Sequence, residues 1–341
     1  MYSFMYDYSE GAHPKVLELL VKSNFEQNIG YGVDIHSDTA RKYIKKHMQR
    51  DDADIHFISG GTQTNLLVIS AFLRPHQGVI AADTAHIVGH ESGAIEATGH
   101  KVINMPCLEG KLTPSDIQKA LDLNSQEYTV QPKMVYISNS TELGTIYSKA
   151  ELSAINKICK EKGLILFLDG ARLGSALTCK SNDLELKDIA NLVDVFYIGG
   201  TKNGALLGEA LVILRDDLKA DFRCLTKQRG AMLAKGFVLG IQFEALFEDN
   251  LFFELAKHAN EMAEKIATIF KDYGFTFYAE PVSNQVFCIF PNEFLMKLDN
   301  EFKFIVQEKL DNNQTAVRFV TSWATTEESV EALREFFKSS L

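Results

Sequence analysis

The sequence predicts an α/β fold in which helices cover both faces of a mostly parallel sheet. Short, continuously apolar runs, which are typical of strands buried on both sides, alternate with segments whose apolar residues recur at helical spacing. The apolar runs cover residues 55–58, 79–82, 133–138, 164–168 and 193–198, and the helical segments cover residues 62–73 and 149–162. Apolar strands separated by helices indicate parallel strands joined by crossovers.

The last part of the chain has a different pattern and predicts a second, smaller α+β domain. A long helix is expected over residues 251–273, short strands over 275–277, 286–289 and 317–320, and a final helix over 327–337. No Pro- or Gly-rich linker marks a boundary. On pattern alone we divide the chain into a large domain over residues 1–248 and a small domain over residues 249–341.

Composition and charge exclude several classes of function. The 341 residues carry 35 basic and 45 acidic side chains, a net charge of −10, which disfavours nucleic acid as a partner. The sequence has no apolar run long enough for a membrane span, and its first residues lack the features of a secretory signal. Five widely spaced cysteines without a CxxC pair predict reduced thiols, so we expect a cytoplasmic protein.

A glycine-rich turn precedes the first predicted helix. Residues 59–65 read Ser-Gly-Gly-Thr-Gln-Thr-Asn. Gly61 and Thr62 lie where free N–H groups at a helix start attract phosphate. The alternative is an ordinary turn with Thr62 as the helix cap. The turn matches neither of the common nucleotide-binding fingerprints.

Two charged residues directly follow buried strands. Asp169 ends the run 164–168, and Lys202 follows the run 193–198 within Gly-Gly-Thr-Lys-Asn-Gly. The interval between them fits one helix and one strand, so both are expected at the same edge of the sheet. A desolvated lysine can attack an aldehyde, and a carboxylate can hold the ring nitrogen of pyridoxal phosphate (PLP) protonated. Taken alone, an Asp in this position is more often a capping residue, and a Lys is more often an exposed loop residue. Together, Asp169 and Lys202 predict PLP, bound to Lys202 as a Schiff base.

A histidine pair lies between these segments, in residues 85–91, Ala-His-Ile-Val-Gly-His-Glu. His86 could cover a cofactor ring or act as a general base. The i,i+4 spacing of His86 and His90 would also suit a metal ion. We expect no metal, because there is no HExxH motif or neighbouring cysteine and because Gly89 weakens the helix.

In this order, the segments resemble the threonine aldolase and β-eliminating lyase family of fold-type I PLP enzymes. The similar segments are Tyr-Gly-Val-Asp at 31–34, residues 61–65 and 85–93, Asp-Gly-Ala-Arg at 169–172, Thr201 with Lys202, and Arg318 within residues 317–321. The resemblance implies the fold-type I PLP-dependent transferase fold. It also implies a homodimer or homotetramer with shared active sites.

The resemblance further implies a role for each matching residue. The roles are the Schiff base for Lys202, phosphate binding for Gly61, Thr62 and Thr201, covering of the ring for His86, pairing with the ring nitrogen for Asp169, and binding of the substrate carboxylate for Arg172 and Arg318. Lys227, Lys235 and Tyr31 are candidates to reach the active site of a neighbouring subunit.

The chain departs from this family near the substrate Cβ. Tyr6 lies where a substrate-contacting Ser would be, and Glu142 lies where aldolases often have a second His. We expect a PLP-dependent carbon–carbon lyase that cleaves a β-hydroxy-α-amino acid, such as L-threonine or L-allo-threonine, to glycine and an aldehyde. Alternatives are β-elimination from a β-substituted amino acid and an inactive PLP or amino-acid binding protein. The base at the β-hydroxyl stays open among His86, His90, Glu142 and water.

Overall fold

The computed structural model describes residues 2–310 and 313–340. The strands are β1 (Tyr2–Ser3), β2 (Asp54–Ile58), β3 (Gln77–Ala82), β4 (Lys101–Met105), β5 (Gln131–Ser138), β6 (Ile165–Asp169), β7 (Val195–Gly199), β8 (Glu209–Ile213), β9 (Thr276–Phe277), β10 (Gln285–Pro291), β11 (Phe302–Lys303), β12 (Ile305–Leu310) and β13 (Gln314–Val320). The α-helices are α1 (Pro14–Lys22), α2 (Ile35–Met48), α3 (Gly61–Phe72), α4 (His86–Gly89), α5 (Pro114–Leu123), α6 (Lys149–Lys162), α7 (Leu173–Thr178), α8 (Leu186–Leu192), α9 (Phe222–Gln228), α10 (Phe237–Phe247), α11 (Leu251–Asp272), α12 (Asn292–Glu301) and α13 (Glu327–Ser340).

The large sheet has the strand order β2-β8-β7-β6-β5-β3-β4. Neighbours from β7 to β4 run parallel, whereas β8 is antiparallel to both β7 and β2. Strands β6 and β7 are buried throughout, as expected for parallel strands covered on both faces. The predicted mostly parallel sheet is therefore confirmed.

A second, antiparallel sheet near the C-terminus has the order β12-β13-β10-β9. Its apolar core is separate from that of the large sheet and includes side chains of α11, β10, β13 and α13. Phe4 is fully buried in this second core, and β1 pairs with β11, so the beginning of the chain packs with its end. The expected small α+β unit is present, while its boundary at residue 248 stays a prediction.

The sheet register brings the predicted functional segments to one edge. Ser138, at the end of β5, lies opposite Asp169, at the end of β6. Glu209, the first residue of β8, lies between Gly199 at the end of β7 and Ile58 at the end of β2. The loops that follow β2, β5, β6 and β7 therefore emerge side by side, which is where α/β sheets bind ligands.

Two further findings concern the helices and the cysteines. Within the described residues, no helix is both long and apolar enough to cross a bilayer. The five cysteines all lie in the described ranges and are free, and Cys224 is exposed.

Candidate active site

Asp169 is a buried carboxylate held by donors from three directions. Its Oδ2 accepts hydrogen bonds from the Tyr136 hydroxyl, at 2.5 Å, and from the Asn65 amide, at 3.3 Å. Its Oδ1 accepts from the backbone N–H of Ala171 at 2.9 Å. Because these donors come from β5, α3 and the loop after β6, they fix the orientation of the carboxylate at the sheet edge.

A hydrogen-bonded chain links Asp169 to His86. The Asn65 amide also donates to Glu91 Oε1 at 2.7 Å, and that oxygen lies 2.9 Å from His86 Nδ1. The Glu91 carboxylate can only accept this hydrogen bond, so His86 Nδ1 carries the proton that it donates. In the neutral imidazole, Nε2 is then the ring nitrogen that can accept a proton. The His86 ring lies 5.5 Å from that of His90, between centroids. In residues 2–310 and 313–340, no cluster of three His, Cys, Asp or Glu side chains is arranged to hold a metal ion.

Lys202 lies in the loop between β7 and β8, and this loop packs closely against the loop after Asp169. The Gly199 N–H donates to the Gly170 carbonyl at 2.9 Å, and a Cβ on Gly199 would lie only 2.4 Å from the Ala171 carbonyl oxygen. Glycine is therefore required for this approach. Burial, with a smaller effect from the positive charge of Arg172, lowers the pKa of Lys202. A lowered pKa favours the neutral, nucleophilic amine.

Thr201 and the uncapped start of α3 are the elements expected to hold phosphate. The N-cap of α3 is Gly60 and no side chain caps it, so the predicted alternative of Thr62 as the cap is not the one observed. A 12-residue helix whose first N–H groups lack a cap is suited to bind an anion. The Thr201 hydroxyl lies 3.0 Å from Glu209 Oε1.

The two arginines expected to bind a carboxylate occupy one region but have different partners. Arg172 forms a bidentate salt bridge with Asp7. Its Nε donates to Asp7 Oδ2 at 2.7 Å, and its Nη2 donates to Oδ1 at 3.0 Å. Arg318 donates only weakly, from Nη1 to Gln285 Oε1 at 3.3 Å, and its buried Nε has no hydrogen-bond partner among the described residues. Burial and the nearby charge of Arg172 lower the pKa of Arg318 to about 10. A second anion is therefore suited to this position.

Replacing Asp7 with asparagine should weaken both the fold and the grip on the substrate. Asp7 is 1% exposed, and loss of one charge of a buried pair costs roughly 3–5 kcal/mol of unfolding free energy. We also expect KM for the amino acid to rise by about tenfold, because Arg172 loses its anchor. Denaturant unfolding and steady-state kinetics measure the two effects.

Asp38→Asn is the matched control, because Asp38 pairs with Arg41 at 2.7 Å on the surface. That exposed pair should contribute no more than about 1 kcal/mol. Equal losses of stability in the two variants would contradict a special role for the Asp7–Arg172 pair.

The two departures from the family pattern both lie in this region. Glu142 Oε1 accepts from the His86 backbone N–H at 3.0 Å and from the Ser138 hydroxyl at 2.7 Å. Burial and the nearby negative charge of Asp169 raise the pKa of Glu142. Tyr6 stacks on Tyr8 at 5.0 Å, and the Lys202 ammonium lies 6.0 Å from the Tyr8 ring. Glu142 thus stabilises the start of α4, whereas the two tyrosines line the approach to Lys202.

The three residues expected to reach the active site of a neighbouring subunit lie away from the site of their own chain. The Lys227 ammonium lies 5.0 Å from the Tyr31 ring, and both side chains are exposed, as is Lys235. In the described part of the chain, no hydrogen bond, ion pair or cation–π contact joins them to Lys202 or Asp169.

Several site residues carry no role in the sequence interpretation. They are Asp7, Asn65, Glu91, Tyr136 and Glu209. Tyr136 had a usable signal, since it is a polar side chain inside a buried strand that neighbours the strand of Asp169. The pairing of Asp7 with Arg172 joins positions 165 residues apart, so no local pattern reveals it.

Comparison with known proteins identifies the family. The family model described as beta-eliminating lyase matches residues 20–292. The chain belongs to this family. A low specificity L-threonine aldolase from Pseudomonas sp. (strain NCIMB 10558) is 32% identical over 340 residues, which cover 97% of this chain and 95% of that protein. The corresponding enzyme of Pseudomonas aeruginosa is 32% identical over 274 residues, 79% of this chain and 78% of that protein.

Solved structures agree with the family assignment. The structure of Leishmania major threonine aldolase has a TM-score of 0.99 and 51% identity, covering 100% of this chain and 99% of that one. Thermus thermophilus aspartate aminotransferase, at 16% identity, shares only the fold, with a TM-score of 0.73 over 100% of this chain and 92% of that one. The predicted fold-type I architecture, PLP dependence and carbon–carbon lyase class are therefore confirmed.

Proposed function

We propose that this chain cleaves the Cα–Cβ bond of a β-hydroxy-α-amino acid, such as L-threonine or L-allo-threonine, to give glycine and an aldehyde. The observation that carries the proposal is the meeting of Lys202, Asp169 and Arg172 at one edge of the large sheet, with Arg318 of β13 close to Arg172. It is supported by the 51% identity, over the whole chain, to Leishmania major threonine aldolase.

The residues present at this edge fit PLP. The uncapped start of α3 at Gly61 and Thr62, together with Thr201, would hold the phosphate. Lys202 would bind the cofactor covalently, Asp169 would pair with its ring nitrogen, and His86 would cover its ring. When bound, PLP supplies an electron sink for the cleaved bond. The fixed carboxylate of Asp169 and the lowered pKa of Lys202 suit these two roles.

Arg172 and Arg318 would bind the substrate carboxylate and set the orientation of Cα. Arg172 already has both Nε and Nη2 fixed by Asp7, so its side chain is oriented before substrate binds. Arg318 offers a buried Nε without a partner in the described residues. An oriented guanidinium from Arg172 and a second one from Arg318 would together restrict the pose of the substrate, which is how positioning accelerates a reaction.

His86 is the group we propose to remove the proton from the β-hydroxyl. Glu91 fixes the proton on Nδ1 and leaves Nε2 as the acceptor. Glu142 is less suited, because its Oε1 already accepts hydrogen bonds from the His86 N–H and the Ser138 hydroxyl.

Product analysis tests the proposed reaction. With L-threonine, the purified enzyme should release glycine and acetaldehyde in equal amounts. Ammonia together with a 2-oxo acid would instead indicate β-elimination. A yellow protein that forms neither product set from L-threonine or L-allo-threonine would indicate a binding protein and overturn the proposal.

We also propose that the enzyme is a homodimer or homotetramer with shared active sites. Apolar side chains are unusually exposed from α1 to the start of α2: Phe25 is 93%, Val21 74%, Ile29 68% and Ile35 63% exposed. A run of exposed apolar side chains in one segment of the chain is what an interaction surface would require. Tyr31, one of the residues expected to reach a neighbouring active site, belongs to the same segment and is 46% exposed.

Replacing Phe25 with glutamate should weaken subunit association. A charge in the middle of an apolar interface must be desolvated without a partner, so the equilibrium shifts toward the monomer. Light scattering coupled to size-exclusion chromatography measures the mass. Tyr128→Glu is the control, because Tyr128 is 84% exposed outside this segment and its variant should keep the wild-type mass. An unchanged mass for Phe25→Glu would contradict this interface.

A cytoplasmic location is the setting we propose for the enzyme. Its five cysteines are free, and the exposed thiol of Cys224 would persist in a reducing compartment. Fractionation of the source cells checks this directly, and recovery of the enzyme with an oxidising compartment would contradict it.

A further inference from the structure

Glu209 is a buried acid between the two loops proposed to hold phosphate. It is 4% exposed and pairs in the sheet with Ile58 on one side and Gly199 on the other. Ile58 precedes the turn into α3, and Gly199 precedes the loop of Thr201 and Lys202. Its carboxyl group therefore lies next to the phosphate-binding elements but has no role in the reaction described above.

The hydrogen bonds of Glu209 compete with phosphate for one hydroxyl. Glu209 Oε1 lies 3.0 Å from Thr201 Oγ1, and Oε2 accepts from the Gly200 N–H at 3.1 Å. Thr201 Oγ1 also accepts from the Gly208 N–H at 2.9 Å, and it lies 3.5 Å from the Gly208 carbonyl oxygen, a longer contact than that with Glu209. Within the described chain, no lysine, arginine or histidine nitrogen forms a salt bridge with this carboxylate at 4.0 Å or less.

A count of protons at Thr201 gives two exclusive arrangements. A hydroxyl has one proton and two lone pairs. If Glu209 is ionised, the hydroxyl donates that proton to Glu209, and a phosphate would meet only oxygen lone pairs and a second negative charge. If Glu209 is protonated, its O–H donates to Thr201 Oγ1, which still accepts from Gly208, and the hydroxyl proton is free for phosphate. Oε2 can accept from Gly200 in both cases.

We propose that the phosphate of PLP binds the protonated form of Glu209, so that an ionised Glu209 takes up one proton from solvent on binding, and that this proton reverses the Thr201–Glu209 hydrogen bond so that Thr201 donates to the phosphate. The inference rests on the placement of PLP given under the proposed function. Glu209 thus acts as a positioning residue, because it controls what the Thr201 hydroxyl can donate to.

The surroundings of Glu209 make both protonation states accessible near neutral pH. Burial raises its pKa to about 8, with the negative charge of Asp169 acting in the same direction. The positive charge of Lys202 and the hydrogen bonds from Thr201 and Gly200 oppose this shift. The neighbouring Tyr197 hydroxyl is buried, and its pKa is raised well above the usual value, so it stays neutral over this range.

The pH dependence of PLP binding tests the proposal on the full-length enzyme stripped of cofactor. PLP binds the protonated form of Glu209, so above its pKa the dissociation constant must rise with pH. For an acid that titrates near pH 8, the constant increases about tenfold between pH 7 and pH 9. In Glu209→Gln, the amide N–H donates to Thr201 at every pH. The ratio of the wild-type constant to the Glu209→Gln constant should therefore rise about tenfold over the same range.

This ratio cancels the titration of PLP, which both proteins share. The charge of Glu209 also raises the pKa of Lys202, so Lys202 is titrated separately in both proteins and its contribution is subtracted. Asp194→Asn is the matched control, since burial also raises the pKa of Asp194 but this residue binds the Leu166 N–H at the opposite edge of the sheet. It should keep the wild-type pH dependence of PLP binding. A ratio for Glu209→Gln that does not change with pH, or an equal effect of Asp194→Asn, would overturn the proposal.

Calorimetry with inorganic phosphate counts the protons directly in the wild-type enzyme and in Glu209→Gln. Phosphate cannot react with Lys202, and titrations in two buffers of different ionisation enthalpy give the number of protons taken up. At pH 9, where phosphate is a dianion before it binds, the wild-type enzyme should take up close to one proton per phosphate more than Glu209→Gln; equal uptake by the two proteins would overturn the proposal. Failure of PLP to bind through Lys202 would refute the proposed site itself. If PLP binds through Lys202 but the ratio of the wild-type to the Glu209→Gln dissociation constant does not change with pH, only the role of Glu209 is refuted.

Discussion

Replacing Lys202 with alanine should abolish turnover and the visible absorbance of the covalently bound cofactor. In the proposed site the lysine would be the covalent anchor, so its loss should reduce kcat at least on the order of a thousandfold, as for other catalytic nucleophiles. The fold should be retained, because Lys202 makes no salt bridge in the described residues. Absorbance spectra, kcat on L-threonine and thermal unfolding measure these effects.

Lys101→Ala is the control for this experiment, since Lys101 is an exposed lysine at the start of β4. It should keep both colour and activity. A Lys202→Ala protein that retained the absorbance of a lysine-bound cofactor would show that another amine holds PLP.

Replacing Asp169 with asparagine should reduce kcat far more than stability. The change keeps the shape of the side chain and removes the negative charge that would hold the ring nitrogen protonated. Loss of one such electrostatic group typically lowers kcat roughly 10²–10³-fold. Mismatched hydrogen bonds with Tyr136, Asn65 and Ala171 should cost about 1–3 kcal/mol of unfolding free energy. Kinetics and denaturant unfolding separate the two effects.

Asp194→Asn provides the comparison at the opposite edge of the same sheet. Asp194 Oδ2 accepts from the Leu166 N–H at 2.8 Å, so its loss also disturbs a strand end. It should lower stability and leave kcat within about twofold of wild type, as expected for a residue outside the site. If the two variants lost kcat equally, the effect of Asp169 would be structural rather than electrostatic.

The local sequence pattern was sufficient to predict the helices and strands that are regular and buried. The helix expected over residues 149–162 is observed as Lys149–Lys162, because a Ser148–Glu151 capping box begins it and Gly163, at a φ of +64°, ends it. Strands β6 and β7 gave continuous apolar runs because both of their faces are covered. The same pattern could not reveal β1, whose two residues pair with β11 about 300 positions away.

The residues of the candidate site that lie at the carboxyl ends of strands were predictable from the sequence. Asp169 ends a buried strand and Lys202 lies just after the next one, so their proximity could be inferred from the order of strands and helices alone. Asp7, Glu91 and Glu209 could not be found in this way, because each acts through a partner placed by tertiary packing. Glu209 was also difficult to predict as a buried residue. An acidic residue that precedes an apolar run is usually taken as the last residue of an exposed loop.

Trapping the cofactor on the protein tests most directly whether Lys202 is the anchor. Borohydride reduction of the purified yellow enzyme fixes PLP on the lysine that holds it, and mass spectrometry of the digested protein identifies that lysine. We expect the label on the peptide that contains Lys202, in an amount equal to the PLP bound. Label on another lysine, such as Lys227 or Lys235, or PLP that is released without labelling any lysine, would contradict the proposed site.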